Sequence, residues 1–374
     1  MGTLRAIFAI SVVFAHSGWL NGYVFVGGRN AVQLFYIISG FLISYVLTHN
    51  KIYRNPIKFY ASRVLRLYPI YYLVAVLSLV AIGFGSPKFF DLYRSVPYDA
   101  KALLTAVNVL LFGQDWVMFL GVDKAGLVFS PDPTKSDVLL RGGLLVPQAW
   151  TLGIELSFYL IAPFILRDKR IIFFLLALSL LSRVIWIESG PGLQDPWTYR
   201  FFPFELALFL VGALSHQFAL PFWEKRQKNS EFKLDTPATF LLISLSVCFF
   251  MIPLSELYKT VILFMVFPLL LPLAFIFQNN HSLDKAIGEL SYPIYIGHLL
   301  VIWVINYLSK KMAITDAFIL ALANVLCSIV FAILLDRFVA RKIERVRNRI
   351  KSSTQPFMAE RGLQIEAMKE MAAK

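Results

Sequence analysis

The sequence predicts an all-α integral membrane protein of about ten transmembrane helices, with both termini on the cytoplasmic side. Three observations carry this prediction. The 374 residues are 58% hydrophobic and only 16% charged, with a mean hydropathy of +0.66, too apolar for a soluble globular chain. Apolar runs close to the roughly 20 residues that a spanning helix needs recur from end to end. Lys and Arg crowd the short segments that ten spans place on one side, as the positive-inside rule requires. The net charge of +13 is therefore assigned to membrane orientation and not to nucleic acid.

In chain order, the ten spans are read at 4–20, 31–50, 67–83, 148–166, 171–187, 201–219, 238–254, 260–277, 287–308 and 314–336. The first run carries no small-residue cleavage site, so it reads as a retained helix and not as a signal peptide. An N-terminus inside puts KIYRNPIK (51–58), RDKR (167–170) and the basic tail on the cytoplasmic side. The segment 101–119, KALLTAVNVLLFGQDWVMF, is apolar enough to count as an eleventh span. Counting it would move either RDKR with KIYRNPIK, or the tail, to the wrong side. Residues 84–147 are thus read as one long outer segment, with 101–119 an interfacial or re-entrant helix. Residues 1–336 form one membrane domain without an inverted repeat. Residues 337–374 form a basic cytoplasmic tail suited to anionic lipid. Cys248 and Cys327 fall in apolar runs and read as small core residues; no disulfide or metal site is suggested.

Polar residues inside such spans are costly, so each one needs a reason. Arg5 and His16 are eleven residues apart, about 20° from the same face and roughly 16 Å along the axis. A neutral imidazole could take a proton from an attacking hydroxyl and return it; from position alone, a packing histidine explains it equally well. Arg63 and Arg66, three apart in SRVLRLYP, project from one helical face. They read as ordinary inner-side charge or as a fork for phosphates. In PQAWTLGIELSFYLIAP, Trp150 suits an interface, and Glu155 lies deeper, where an unpaired carboxylate needs a proton or a cation. Arg183 is one candidate partner for it. In GELSYPIYIGHLL, Gly288, Ser291, Tyr295 and His298 share a face, and Pro293 should bend the helix. That face lines a cavity or forms a polar seam. Gln33, Ser39 and Glu205 are further buried polar positions, while Gly40 and Gly212 would permit close helix approach. His49, His216 and His281 fall at helix ends or in loops and attract no role.

Taken together, these stretches resemble the membrane acyltransferase-3 family across roughly residues 2–336. The family's Arg-x10-His signature is matched at Arg5 and His16, and its SGFLI stretch by VQLFYIISGFLIS, at Phe35, Ser39, Gly40 and Phe41. Arg63, Arg66, Tyr68 and Pro69 resemble its Arg-x-x-Arg and Tyr-Pro pattern. Trp150 and Glu155 resemble its Trp-Ser-Leu-x-x-Glu helix. RFFPFELALFLVG and LSYPIYIGH resemble two later stretches, the second carrying Tyr292, Tyr295 and His298. Thr151 stands where Ser is usual, and Gln33 where an acid is frequent.

The resemblance implies a multi-pass enzyme of the bacterial cytoplasmic membrane that O-acylates a glycan or lipid-linked sugar. Its donor would be acetyl-CoA or another acyl-CoA as co-substrate, with no bound cofactor. Implied catalytic residues are His16 and Glu155, with Glu155 orienting His16. Arg5, Arg63, Arg66, Ser39, Trp150, Tyr292, Tyr295 and His298 are implied in substrate and donor binding. No hydrolase-like outer domain follows the last span, which leaves room for a separate extracytoplasmic partner protein. The rival class is a secondary transporter or flippase, which intramembrane Arg, Glu and His would also suit. A polytopic glycan polymerase fits less well, because the outer segment 84–147 carries no His.

Overall fold

Each of the ten predicted stretches is helical in the computed structural model, which describes residues 1–352 apart from Ser86 and Ala125. The helices are α1 (Gly2–Ser17), α2 (Gly27–His49), α3 (Pro56–Gly85), α4 (Pro87–Ser95), α5 (Tyr98–Leu110), α6 (Trp150–Ile165), α7 (Lys169–Glu188) and α8 (Phe202–Leu214). There follow α9 (Leu220–Lys228), α10 (Asp235–Val247), α11 (Glu256–Asn280), α12 (Ser282–Glu289), α13 (Ser291–Lys311), α14 (Ala317–Leu335) and α15 (Arg341–Ser352). Among the described residues, seven helical stretches are long and apolar enough to cross a membrane; α1 and α10 are apolar but shorter. The chain is therefore an all-α, multi-pass membrane protein. The basic tail is helical as far as Ser352, and the remainder of that prediction, 353–374, lies outside the described residues.

The bundle is organised around α1 and α2. The first turn of α1 is tied to α12: the Asp284 carboxylate accepts from the Gly2 and Thr3 amides at 2.7 and 2.8 Å and from Thr3 Oγ1 at 2.6 Å. Helix α2 lies tightly against α8, and the two glycines predicted for close approach make this possible. A Cβ on Gly40 would fall 1.9 Å from the Phe209 carbonyl oxygen, and one on Gly212 would fall 1.9 Å from that of Ile37. Any side chain at either position would push the helices apart. Between these helices and α7, the Glu205 carboxylate receives Arg183 and, at 3.2 Å, Gln33 Nε2. Arg183 therefore pairs with Glu205 and not with Glu155.

The outward faces differ from the sequence reading at two positions. Cys248 and Cys327 are free, but they are exposed on the outside of the bundle and do not belong to its core. An apolar stretch in a membrane protein has a lipid side as well as a packed side, and hydropathy does not separate the two.

The segment 101–119 does not continue as one helix. Helix α5 stops at Leu110, Leu111 takes φ 61°, and a 3-10 turn covers Trp116–Phe119. The open carbonyls at the end of α5 are capped from α3: Tyr71, Tyr72 and Tyr68 donate to Asn108, Val109 and Leu110 at 2.7, 2.7 and 2.6 Å. A small antiparallel sheet follows, β1 (Leu120–Asp123) flanked by β2 (Gly126–Phe129) and β3 (Val138–Leu139). Before Pro293 the hydrogen-bond ladder is interrupted at Leu290, whose backbone stays helical (φ −75°, ψ −17°). Helices α12 and α13 are separate, with Leu290 between them, and Ser291 Oγ takes the Gly288 carbonyl at 2.7 Å.

Candidate active site

Two cavities enter the bundle from opposite ends of α1, one near Arg5 and one near His16. The arginine cavity has an empty volume of about 770 Å³ and is lined by Arg5, Arg63, Arg66, Ser39, Glu155, Tyr159, Tyr292 and Tyr295 together with apolar side chains. Helix α3 starts eleven residues before the predicted span, so Arg63 and Arg66 lie on a continuous helix and not in a loop. Arg63 is buried against Phe59 and Tyr159, with its guanidinium 5.6 and 6.0 Å from the two ring centres. Among the described residues its Nε has no hydrogen-bond partner. Among the described residues, none of the three arginines forms an ion pair. Three guanidinium groups thus gather around one cavity, with the Glu155 carboxylate on the same lining.

Glu155 lines the same cavity and does not approach His16. Its Oε1 accepts from Ser39 Oγ at 2.5 Å and from Tyr159 OH. Helix α6 thus divides its two candidates: Glu155 faces the arginine cavity, and Trp150 lines the other one. The pairing of Glu155 with His16 implied by the resemblance is not the arrangement present.

The histidine cavity, about 1570 Å³ of empty volume, is lined by His16, Arg29, Asn30, Gln33, Gln148, Trp150, Tyr199, Arg200, Glu256 and Tyr295. His16 is met by His298 of α13, whose Nε2 lies 3.1 Å from His16 Nδ1. His16 Nδ1 is also 2.9 Å from the Val12 carbonyl, and His298 Nδ1 is 2.6 Å from the Tyr295 carbonyl. A carbonyl can only accept, so each Nδ1 carries the hydrogen. His298 Nε2 then accepts from His16 Nδ1–H, and His16 Nε2 keeps its lone pair. His298 is fully buried and His16 opens onto the cavity. This is the tautomer that a general base needs.

Tyr295 and Val32 line both cavities. The Tyr295 hydroxyl is held between Thr151 Oγ1 at 2.8 Å and the Gln148 carbonyl at 3.1 Å. Thr151 keeps the hydroxyl that the usual Ser would supply. Tyr292 lies on the arginine side and donates to the Leu67 carbonyl at 2.7 Å. The predicted residues thus fall into two groups, Arg5, Ser39, Arg63, Arg66, Glu155 and Tyr292 at one end and His16, Trp150 and His298 at the other, with Tyr295 between them.

Sequence reasoning missed Arg29, Gln148 and Tyr199, and noticed Arg200 only as part of a motif. Arg200 covers Trp150 at 4.4 Å and Tyr199 at 4.6 Å from the ring centres, and pairs with Asp195 at 2.6 Å. Gln148, Tyr199 and Arg200 come from connections between helices, where hydropathy is silent, and Arg29 stands in the first turn of α2. The one available signal is a basic residue directly before a span, at Arg29 and Arg200.

Outside the spans, Asp115 is buried beside α6. A Cβ on Gly153 would lie 2.6 Å from its Oδ1, an atom without a hydrogen-bond partner. Burial pushes the Asp115 carboxyl up to about 7, against the pull of the Asp115 and Trp116 backbone N–H groups. His216, which drew no role from the sequence, is bonded to Ser44 at 2.8 Å and buried near α2.

A polytopic helical membrane protein with an arginine-lined cavity at one end of α1 and a histidine-lined cavity at the other is the class that fold and site define. The chain belongs to the family described as the acyltransferase domain, whose model matches residues 2–335. It is similar to nodulation protein 10 of Rhizobium leguminosarum bv. viciae, with 28% identity over 183 residues, 45% of this chain and 44% of that protein. Peptidoglycan O-acetyltransferase OatA of Listeria monocytogenes is 25% identical over 324 residues, 80% of this chain and 48% of OatA. An uncharacterized protein of Aquifex aeolicus is 23% identical over 211 residues, 54% of this chain and 89% of that protein. The match spans less than half the length of the rhizobial and listerial relatives. No solved structure matches the chain.

Proposed function

We propose that this protein is a bacterial inner-membrane O-acyltransferase with ten spans and both termini cytoplasmic. It moves an acyl group, acetyl first among candidates, from cytosolic acyl-CoA to a hydroxyl of a glycan or lipid-linked sugar on the other side. The observation that carries this reading is the pairing of three ion-pair-free arginines in one cavity with a lone-pair-bearing His16 Nε2 in the other. Family membership and the likeness to a peptidoglycan O-acetyltransferase support it. No resident cofactor is required, and a separate extracytoplasmic protein could deliver the acceptor.

In this reading the arginine cavity faces the cytosol. Arg63 and Arg66 hold the CoA phosphates, with Arg5 deeper, and the acyl-pantetheine arm points toward Tyr295. The acceptor hydroxyl enters from the histidine cavity. His16 Nε2 takes its proton as the oxygen attacks the thioester carbon, and the C–S bond breaks. The proton then passes to the departing thiolate, so an ester and CoA thiol are formed without net proton release. His298 holds the His16 tautomer. The Glu155 carboxylate, bonded to Ser39 and Tyr159, balances the arginine charge and shapes the donor cavity.

The test is the full chain in lipid nanodiscs with radiolabelled acetyl-CoA and a cell-envelope glycan extract. Label in the glycan and free CoA thiol should appear together and vanish in His16→Ala. Two cavities separated by one layer of side chains would equally suit an alternating-access transporter. Uptake of glycan into sealed vesicles without CoA release would favour that second reading.

A further inference from the structure

We propose that the histidine cavity selects acceptors carrying an anionic substituent, a carboxylate or a phosphate, and that Arg29 is the residue that reads it. The inference deepens the acyltransferase reading by naming a substrate class, and its ligand test is independent of the donor.

The charges in this cavity are unevenly committed. Arg200 is neutralised by Asp195 and donates to Tyr199 OH at 2.7 Å. Glu205, below the cavity floor, is taken by Arg183 and Gln33. Arg29 lines the same cavity and is exposed to it, 6.0 Å from the centre of the Tyr199 ring and within electrostatic reach of the buried Glu205 carboxylate. Among the described residues it forms no ion pair. It stands in the first turn of α2, where no side chain caps the helix, so the local amides add to the positive potential. The opposing carboxylate on the cavity lining is Glu256, the first residue of α11, which is exposed and also outside any ion pair.

The rest of the wall suits a sugar. Trp150 and Tyr199 pack edge to face at 5.3 Å, and Asn21, Asn30 and Gln148 contribute polar groups. Amide side chains hydrogen-bond sugar hydroxyls, while a guanidinium takes a carboxylate or phosphate through paired hydrogen bonds. A neutral sugar would leave Arg29 with water alone. An anionic one would be fixed at one end by Arg29 and present a hydroxyl elsewhere on the ring to His16. Glu256 repels the same anion, which makes its effect opposite in sign.

The experiment measures binding of three probes to the full chain in nanodiscs without donor: methyl glucuronide, glucose 6-phosphate and methyl glucoside. The wild type should bind at least one anionic probe about tenfold or more tightly than the neutral glycoside. R29Q should erase that ratio, R29K should keep part of it, and E256Q should widen it. Whichever anion binds more tightly assigns carboxylate or phosphate as the source. The proposal falls if the neutral probe binds as well as both anions, if no probe binds, or if the preference survives R29Q. Should R29Q not fold, the R29K and E256Q ratios decide alone, and unchanged ratios in both overturn it. If acyl transfer from acetyl-CoA fails while the preference still tracks Arg29, the reaction reading is lost and the acceptor class stands.

Discussion

The two cavities are built by different means. The arginine cavity is lined almost entirely from the bodies of helices: Arg5 on α1, Ser39 on α2, Arg63 and Arg66 on α3, Glu155 and Tyr159 on α6, and Tyr292 on α13. The histidine cavity takes only part of its wall from helix bodies, with the remainder from the connections around Asn21–Val26, Gln148 and Tyr199–Arg200. A ligand common to all members of a reaction class is served by rigid helices. A ligand that varies is served by segments that can change without disturbing the bundle. The contrast is the one that the proposed reading expects, with the donor in the first cavity and the acceptor in the second.

The largest effect should fall on His16. Replacing it with Ala removes the proton acceptor and should lower the rate of label transfer about 10²- to 10⁴-fold. Near-normal turnover would break the assignment of the two ends. Arg63→Ala should act at the other end, raising KM for acetyl-CoA about tenfold or more. Acetylated pantetheine, which lacks the nucleotide phosphates, should be indifferent to that substitution. A loss of similar size with both donors would mean that Arg63 serves packing and not phosphate. A smaller, several-fold change is expected at the partition. Tyr295→Phe removes the hydroxyl held by Thr151 and Gln148. It should raise the hydrolysis of acetyl-CoA in the absence of acceptor, and unchanged hydrolysis would show that the hydroxyl does not keep the two cavities apart.

The same contrast explains what the sequence could reveal. The helices and the close approach at Gly40 and Gly212 were legible because spanning length and small residues follow directly from the lipid environment. Arg5, Arg63 and Arg66 were legible because charge inside an apolar helix is conspicuous. Gln148 and Tyr199 were not, since a polar residue in a connection is the ordinary case, and Arg29, in the first turn of α2, reads as ordinary flanking charge. Which partner a buried carboxylate takes was equally hidden. Glu155 belongs with Ser39 and Tyr159, and Arg183 with Glu205, a choice made by helix rotation that no spacing rule encodes. The irregularity near Pro293 was legible because the proline was visible, whereas the capping of the Gly288 carbonyl by Ser291 was not.

An effect on stability, and not on turnover, is expected at the piece of structure that bears on both cavities at once. Asp115 rests against Gly153, on the helix that carries Trp150 toward one cavity and Glu155 toward the other. Its carboxyl is raised to about 7 by burial, from an ordinary value of 3.8. The folded protein therefore holds a proton there that the unfolded chain has already released between those two values. The corresponding stability is complete below about pH 4 and is lost as pH rises through 7, on the order of 4 kcal/mol at most. Thermal unfolding of the wild type in detergent should accordingly move to lower temperature between pH 5 and 8. Asp115→Asn, which cannot ionise, should flatten that slope while leaving stability at pH 5 close to the wild type. An identical slope in both proteins would mean that Asp115 reaches water when it ionises. The packing of the outer segment against α6 would then be looser than the contact at Gly153 implies, and α6 would be held in register by its helix neighbours alone.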